Sequence, residues 1–431
     1  MLYQNLSVNE AGHLTFAGCD TTALANTYGT PALVMDEQMI RERCREYKTA
    51  MEAAFPAGSM PLYASKALSC KALYRVVAQE GMGIDVVSSG ELHTAVKAGF
   101  PMENAYFHGT SKTDRDITYA MDNHIGCFVC DSAIELDAID REAGRRGIRQ
   151  RVLLRLTPGI DPHTHEKINT GRIDSKFGAA IETGQAEELI LLALGKKNVV
   201  LDGYHCHIGS QIFDHAPFCD AAVLMLNFTA EIKKKHGYFP RILNLGGGMG
   251  VRYTEADPVI NYAANIKNIG TLVAETCREL NLECPIILME PGRSIVADAG
   301  ITLYSVVSTK QIPGYKNYAA IDGGMTDNPR YTLYQAQYTV LPASRMNDAA
   351  EHMCTVAGCC CESGDLIAED VPLPQMQRGD LLAVLTTGAY NYSMASNYNR
   401  VPRPPIVMIG KDGPYVAVRR ETWEDLLSCD L

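Results

Sequence analysis

The sequence predicts an α/β barrel of the TIM type, (β/α)8, joined to a second, mainly antiparallel β domain of barrel or sandwich character. Eight short β-rich runs recur between residues 61 and 289 with helical segments between them, the alternation of parallel βα units. Reactive side chains stand at or just past the C-terminal ends of those runs, where barrels of this kind build their sites. After Gly300 the alternation stops and strand-like runs follow one another directly. A chain of 431 residues with 46% apolar content has the length and core material for two domains. They are placed at residues 37–299 for the barrel and at 1–36 with 300–431 for the β domain.

The eight runs are 61–65, 83–87, 104–107, 126–130, 151–156, 201–206, 241–245 and 285–289. Segments between them carry helical spacing, as in Leu73, Val76 and Val77 or Leu136, Ile139 and Ala143, and often begin with Ser or Asp as a cap. In a closed barrel the strand ends converge, bringing together Lys66, Asp85 with Ser88, His108, Asp131, Arg155, His207, the Gly246–Gly250 loop, and Glu290 with Arg293. The glycine loop and the Gly292 turn follow runs seven and eight, a frequent place for phosphate. In Glu290-Pro291-Gly292-Arg293 a carboxylate could hold a proton on a ring nitrogen, the turn could offer N–H groups to a phosphate, and the guanidinium could grip a second anion. A Pro-Gly turn between charges is also a common surface feature.

Lys66 lies in Tyr63-Ala64-Ser65-Lys66-Ala67, where partial burial would lower its pKa and favour a Schiff base; a solvated strand-end lysine is the plainer reading. The glycine loop lacks the βαβ unit and acidic residue of a dinucleotide fold. His205 and His207 share one face of a strand with no third ligand expected nearby, so a stacking or hydrogen-bonding His207 is expected and no metal.

Beyond the barrel, strands are expected at 301–307, 318–321, 334–340 and 380–385, then a hairpin of 405–409 with 415–418 around Asp412-Gly413; the run 32–35 joins them. Three turns carry unusual residues: Asp322-Gly323-Gly324-Met325 leading to Arg330 and Tyr334, Cys361-Glu362-Ser363-Gly364-Asp365 after a Cys-rich strand, and Gly388-Ala389-Tyr390 leading to Ser396-Asn397-Tyr398-Asn399. Each alone reads as a polar hairpin loop; together with the barrel they read as a lid or wall.

A net charge of −11 excludes the basic face that nucleic acid or an anionic membrane requires, leaving small molecules or a second copy of the chain as partners. The N-terminus shows no secretion leader and no run reaches membrane-spanning length, so a soluble cytoplasmic protein is expected. Fourteen cysteines then read as reduced thiols, with Cys127 and Cys130 as core residues rather than a redox or zinc pair.

These segments, in this order, resemble the diaminopimelate decarboxylases, pyridoxal-phosphate enzymes of lysine biosynthesis within the decarboxylases that share an alanine-racemase-like barrel and a β domain. The resemblance runs from about Pro31 to about Pro405. It is carried by 63–67, Ser88-Ser89-Gly90-Glu91-Leu92, Thr170-Gly171 with Ser175-Lys176-Phe177-Gly178, His207-Ile208-Gly209-Ser210-Gln211, the glycine loop, Glu290–Arg293, Arg330 with Tyr334, Cys361–Asp365 and Gly388-Ala389-Tyr390. It implies that Lys66 bonds pyridoxal 5'-phosphate, Glu290 pairs with the ring nitrogen and His207 stacks on the ring. Asp85, Ser210, Gly247, Gly248, Gly292, Arg293 and Tyr390 would complete the cofactor site. Racemases of this fold place an arginine where Glu290 stands, so Glu290 implies decarboxylation.

The resemblance further implies that Arg293 and Arg330, with Tyr334 and Tyr390, read the substrate's distal carboxylate and that Glu362 binds its distal ammonium. Cys361 would be the proton donor or solvent gate after carbon dioxide leaves, and Cys361 and Glu362 would come from the neighbouring subunit of a homodimer. Two departures are Leu68, where the family usually has asparagine, and the extra thiols Cys359 and Cys360. The alternatives are a decarboxylase of D-ornithine, D-lysine or carboxynorspermidine, a racemase, and a non-catalytic regulator of the same fold.

Overall fold

A computed structural model of the chain describes residues 1–160 and 176–431 and divides into two compact units. One comprises Arg41–Gly250 with Ile260–Gly292, the other Met1–Ile40, Val251–Val259 and Arg293–Leu431. Thr170-Gly171 and Ser175 lie outside the described residues.

The first unit is a closed barrel of eight parallel strands: Met60–Ala64, Gly83–Val86, Ala105–Phe107, Cys127–Cys130, Gln150–Thr157, Val199–His205, Ile242–Asn244 and Ile286–Met289. Closure comes where Leu288 pairs with Met60. Each strand lies within two residues of a run read from the sequence, because β-rich apolar stretches bounded by turns have little choice of conformation once both faces are covered. Leu62, Tyr106, Cys127, Val129, Leu153, Ile242 and Leu288 form one buried cluster, the layered side-chain filling expected of a small barrel.

Helices follow the strands. Leu73, Val76 and Val77 are buried on Lys71–Gln79, and Leu136, Ile139 and Ala143 on Ala133–Arg146. Their starts are set by caps: Ser88, Thr113, Ser132 and Asn261 accept hydrogen bonds from N–H groups in the first turns that follow, each such cap contributing about 1 kcal/mol. Ser88 thus serves as the cap of Ser89–Ala98. Cys127 and Cys130 are buried, unpaired thiols within a barrel strand.

The second unit is built on a mixed, mainly antiparallel sheet. Its long strand Gly300–Ile312 pairs antiparallel with Ala32–Asp36, Leu381–Leu385 and Lys316–Ile321. Ile406–Gly410 and Gly413–Val418 form the expected hairpin. Leu14, Phe16, Val34, Ile301, Leu303, Ala383 and Leu385 belong to its buried core.

One expectation fails here. Residues 334–340 are not a strand: Arg330–Tyr334 is a short helix ended by Gln335 in the left-handed conformation, and pairing begins only at Val340–Leu341. The aromatic-rich run has β propensity, but tertiary packing of Arg330 and Tyr338 overrides it. The Cys-rich strand expected before Cys361 is His352–Ala357, which ends short of the cysteine run, itself a bend; strand Leu366–Leu373 was not read from the sequence. Among the described residues no helix is long and apolar enough to cross a membrane.

Candidate active site

Alternation along the barrel strands creates the site. Two residues beyond the core residues Tyr106, Val129, Leu153, Ile242 and Leu288 stand His108, Asp131, Arg155, Asn244 and Glu290. With a period of two, a residue that fills the barrel is followed by one that faces inward at the next layer. Above the apolar layer there is therefore a polar one, at the C-terminal ends of the strands. It borders a cavity of ≈ 470 Å³ whose lining includes Lys66, Asp85, Ser88, Ser89, the 107–112 segment with His108, Arg155, His205, His207 and Glu290. That volume suits a small-molecule ligand.

Glu290 is the centre of this layer. Its Oε1 accepts from Asn244 Nδ2 at 2.7 Å and lies 2.9 Å from His108 Nε2, while Oε2 is 3.2 Å from His205 Nε2. Burial would raise the carboxyl, but His108 and His205 outweigh it and hold it well below the usual carboxylate range. Burial in turn pulls His205 down to about 4 despite Glu290. The expectation that no third ligand lies near His205 is thus corrected. His108 and Glu290 arrive from other strands and, with His205, place three ligand-type atoms within 4.8 Å. In this arrangement the two imidazoles are engaged with the carboxylate.

Asp85, fully enclosed in the same layer, is pushed up to about 6 by burial, with Glu290 adding to the rise. Its Oδ1 lacks a hydrogen-bond partner. Half-buried His207 accepts from Gly247 N–H through Nδ1 at 3.2 Å, and desolvation, reinforced by the cations of Lys66 and Arg155, holds it well below its usual pKa.

Lys66 stands on the one-turn 3-10 helix Ser65–Ala67, just past the first strand. The partial burial expected for it is not found: carried beyond the strand end, it is an exposed residue at the cavity. The other cavity lysine differs. Lys112 donates to Gly109 O, Val129 O and Glu135 Oε1 at 2.7, 2.8 and 2.6 Å, which engages all three protons of its ammonium.

The glycine loop is welded to the ends of neighbouring strands. Glu290 N donates to Gly246 O at 2.8 Å, and Ile212 and Gly250 exchange bonds with Gly248 and Ile212. A Cβ on Gly247 would lie 1.9 Å from Glu290 O; one on Gly248, whose φ is +126°, would lie 2.3 Å from Gly209 O. Half-buried Ser210 lies beside this ladder, and Gly292 packs against Ala64 and Ala67.

The residues of the β unit form their own cluster around Tyr253. Buried Arg293 donates to the Tyr253 hydroxyl and lies 4.6 Å from the Tyr390 ring centre; buried Arg330 lies 5.0 Å from the Tyr253 ring and donates to Tyr338 Oη at 2.8 Å. Tyr338 reaches on to Asn391 Oδ1 at 3.2 Å. Tyr334 is half-buried on the Arg330–Tyr334 helix. Cys361 and Glu362 are exposed, with Cys361 N donating to Asn399 Oδ1 at 2.9 Å.

Sequence reasoning passed over three of these residues. Period-two counting from Ile242 would have found Asn244. Tyr253 and Tyr338 carry no local signal, since only folding brings them to the two arginines.

The cavity fits pyridoxal phosphate in two respects: an ionised buried carboxylate for a ring nitrogen and an exposed lysine for an aldehyde. Comparison with known proteins agrees. Residues 37–297 match the family of pyridoxal-dependent decarboxylases, in its pyridoxal-binding domain. The chain is 45% identical to the diaminopimelate decarboxylase of Bacillus subtilis (strain 168), covering 98% of this chain and 96% of the relative, and 42% identical to that of Staphylococcus aureus (strain COL), covering 98% of both. A solved structure of diaminopimelate decarboxylase from M. jannaschii with L-lysine superposes with a TM-score of 0.91 at 34% identity, covering 99% of this chain and 98% of that one.

Proposed function

The chain belongs to the diaminopimelate decarboxylase family of pyridoxal-dependent enzymes, and from that premise we propose how its own residues carry the reaction. It is a carboxy-lyase of lysine biosynthesis that converts meso-2,6-diaminopimelate to L-lysine and carbon dioxide, with pyridoxal 5'-phosphate as cofactor. The observation that carries the reading is the cavity at the barrel mouth, where exposed Lys66, a neutral His207 and an ionised, buried Glu290 line one space.

When bound, the cofactor supplies an electron sink for the pair left behind as carbon dioxide departs. Lys66 Nζ would hold it at its aldehyde carbon, with loss of one water. Glu290 would hold a proton on the ring nitrogen, for which its low pKa and its hydrogen bonds with Asn244 and His205 prepare it. His207 offers an uncharged imidazole to the ring. Ser210, Gly247, Gly248, Gly292 and Tyr390 hold the phosphate, and Asp85 and Arg293 complete the cofactor set. Arg293 and Arg330, with Tyr334 and Tyr390, bind the distal carboxylate, and Glu362 binds the distal ammonium. A substrate without that carboxylate would forgo its charge-assisted hydrogen bonds to these arginines, a loss of about 1.5–3 kcal/mol that favours diaminopimelate. Cys361 Sγ returns a proton to the α-carbon.

The exposure of Cys361 and Glu362 supports a homodimer in which each subunit lends these two residues to its partner's site. The acidic charge and unpaired thiols support a cytoplasmic location. The deciding experiment compares carbon dioxide release from meso-diaminopimelate, lysine and ornithine. Release from diaminopimelate alone is expected; equal or faster release from ornithine would overturn the substrate assignment.

A further inference from the structure

We infer that Asn244 is a positioning residue that couples the carboxylate of Glu290 to the glycine loop. This rests on the cofactor reading above. Asn244 ends the seventh barrel strand and is fully buried. Its Nδ2 donates to Glu290 Oε1 at 2.7 Å and its Oδ1 accepts from Gly246 N–H at 2.9 Å. The chemistry leaves one orientation of the amide, because an ionised carboxylate only accepts and a backbone N–H only donates. One side chain therefore joins the two parts that treat opposite ends of the cofactor: the group for the ring nitrogen and the loop for the phosphate.

The backbone repeats the coupling. Glu290 N donates to Gly246 O, and Gly247 N donates to His207 Nδ1. Asn244 adds a directed donor. Glu290 is buried, and carboxylate oxygens without donors take up protons when desolvated. Removing the amide donor while keeping the acceptor leaves the loop held and raises the proton affinity of Glu290, which then competes for the ring proton instead of leaving it on the nitrogen.

Asn244→Asp makes that separation, since a carboxylate still accepts from Gly246 but sets a second negative charge beside Glu290. Two such carboxyls share a proton. In the holoenzyme the expected result is a fall in kcat of roughly 10- to 100-fold, the factor carried by one charge-assisted hydrogen bond. The acid limb of the kcat profile and the pH dependence of the cofactor absorption should both move to higher pH. The dissociation constant of pyridoxal phosphate should stay within about threefold.

Asn244→Ala loses both bonds and is expected to lose cofactor affinity as well as kcat. It also serves if the Asp variant does not fold. Wild-type kcat and an unmoved pH profile in either variant would overturn the inference, as would losses that follow the drop in melting temperature with no spectral change. A wild-type protein without visible cofactor absorption or without carbon dioxide release would instead overturn the cofactor reading itself.

Discussion

Two buried carboxyls show how much the immediate donors decide. Glu290, beside Asn244, His108 and His205, is held well below the usual range. Asp327, enclosed in the β unit beside the Tyr304 hydroxyl and Gly324 N–H, is pushed up to about 7, because those two bonds only partly offset burial. The raised group works against stability as pH rises: between the unfolded value near 3.9 and about 7 the folded state holds a proton that the unfolded chain has released. The stability advantage of Asp327→Asn over wild type, from urea melts of the holoenzyme, should therefore grow from about pH 4 to about pH 7 and then level off. A pH-independent difference would contradict this assignment. Arg330 is the corresponding test for substrate. Arg330→Ala should raise KM for diaminopimelate roughly 10- to 100-fold while the cofactor spectrum is retained. An unchanged KM would remove Arg330 from the site.

Strands and loops were legible in unequal degree. The eight barrel strands could be located because each is a β-rich run closed by turn residues, and their ends named Lys66, Asp85, His207 and Glu290 directly. Helix 330–334 could not, since its local sequence favours a strand and its conformation follows from where Arg330 and Tyr338 pack. The glycine loop was legible as a loop, but the demand behind it was not. Gly247 is required by the approach of Glu290 O, which comes from the next strand. Gly247→Ala should force that strand end and the loop apart and weaken cofactor binding by about tenfold or more, with far-ultraviolet dichroism unchanged. Wild-type cofactor affinity in that variant would show that the loop tolerates the added methyl group.

At the scale of the molecule, the proposal of shared sites has a direct consequence. Lys66→Ala and Cys361→Ala homodimers should each be nearly inactive. Equal mixing with subunit exchange gives half heterodimers, each with one intact composite site, and restores roughly a quarter of wild-type activity. No recovery after verified exchange would place Lys66 and Cys361 of one site in the same subunit. By itself the sequence determined the barrel, the order of its reactive strand ends, the change to a β domain and the family, because these depend on periodicity and on motifs read along the chain. Tertiary structure alone decided that His205 and His108 serve Glu290, that Asn244 ties it to the glycine loop, and that Tyr253 and Tyr338 hold the arginines. Hydrogen bonds and desolvation act between groups far apart in the chain, and no local pattern records which strand will supply the partner.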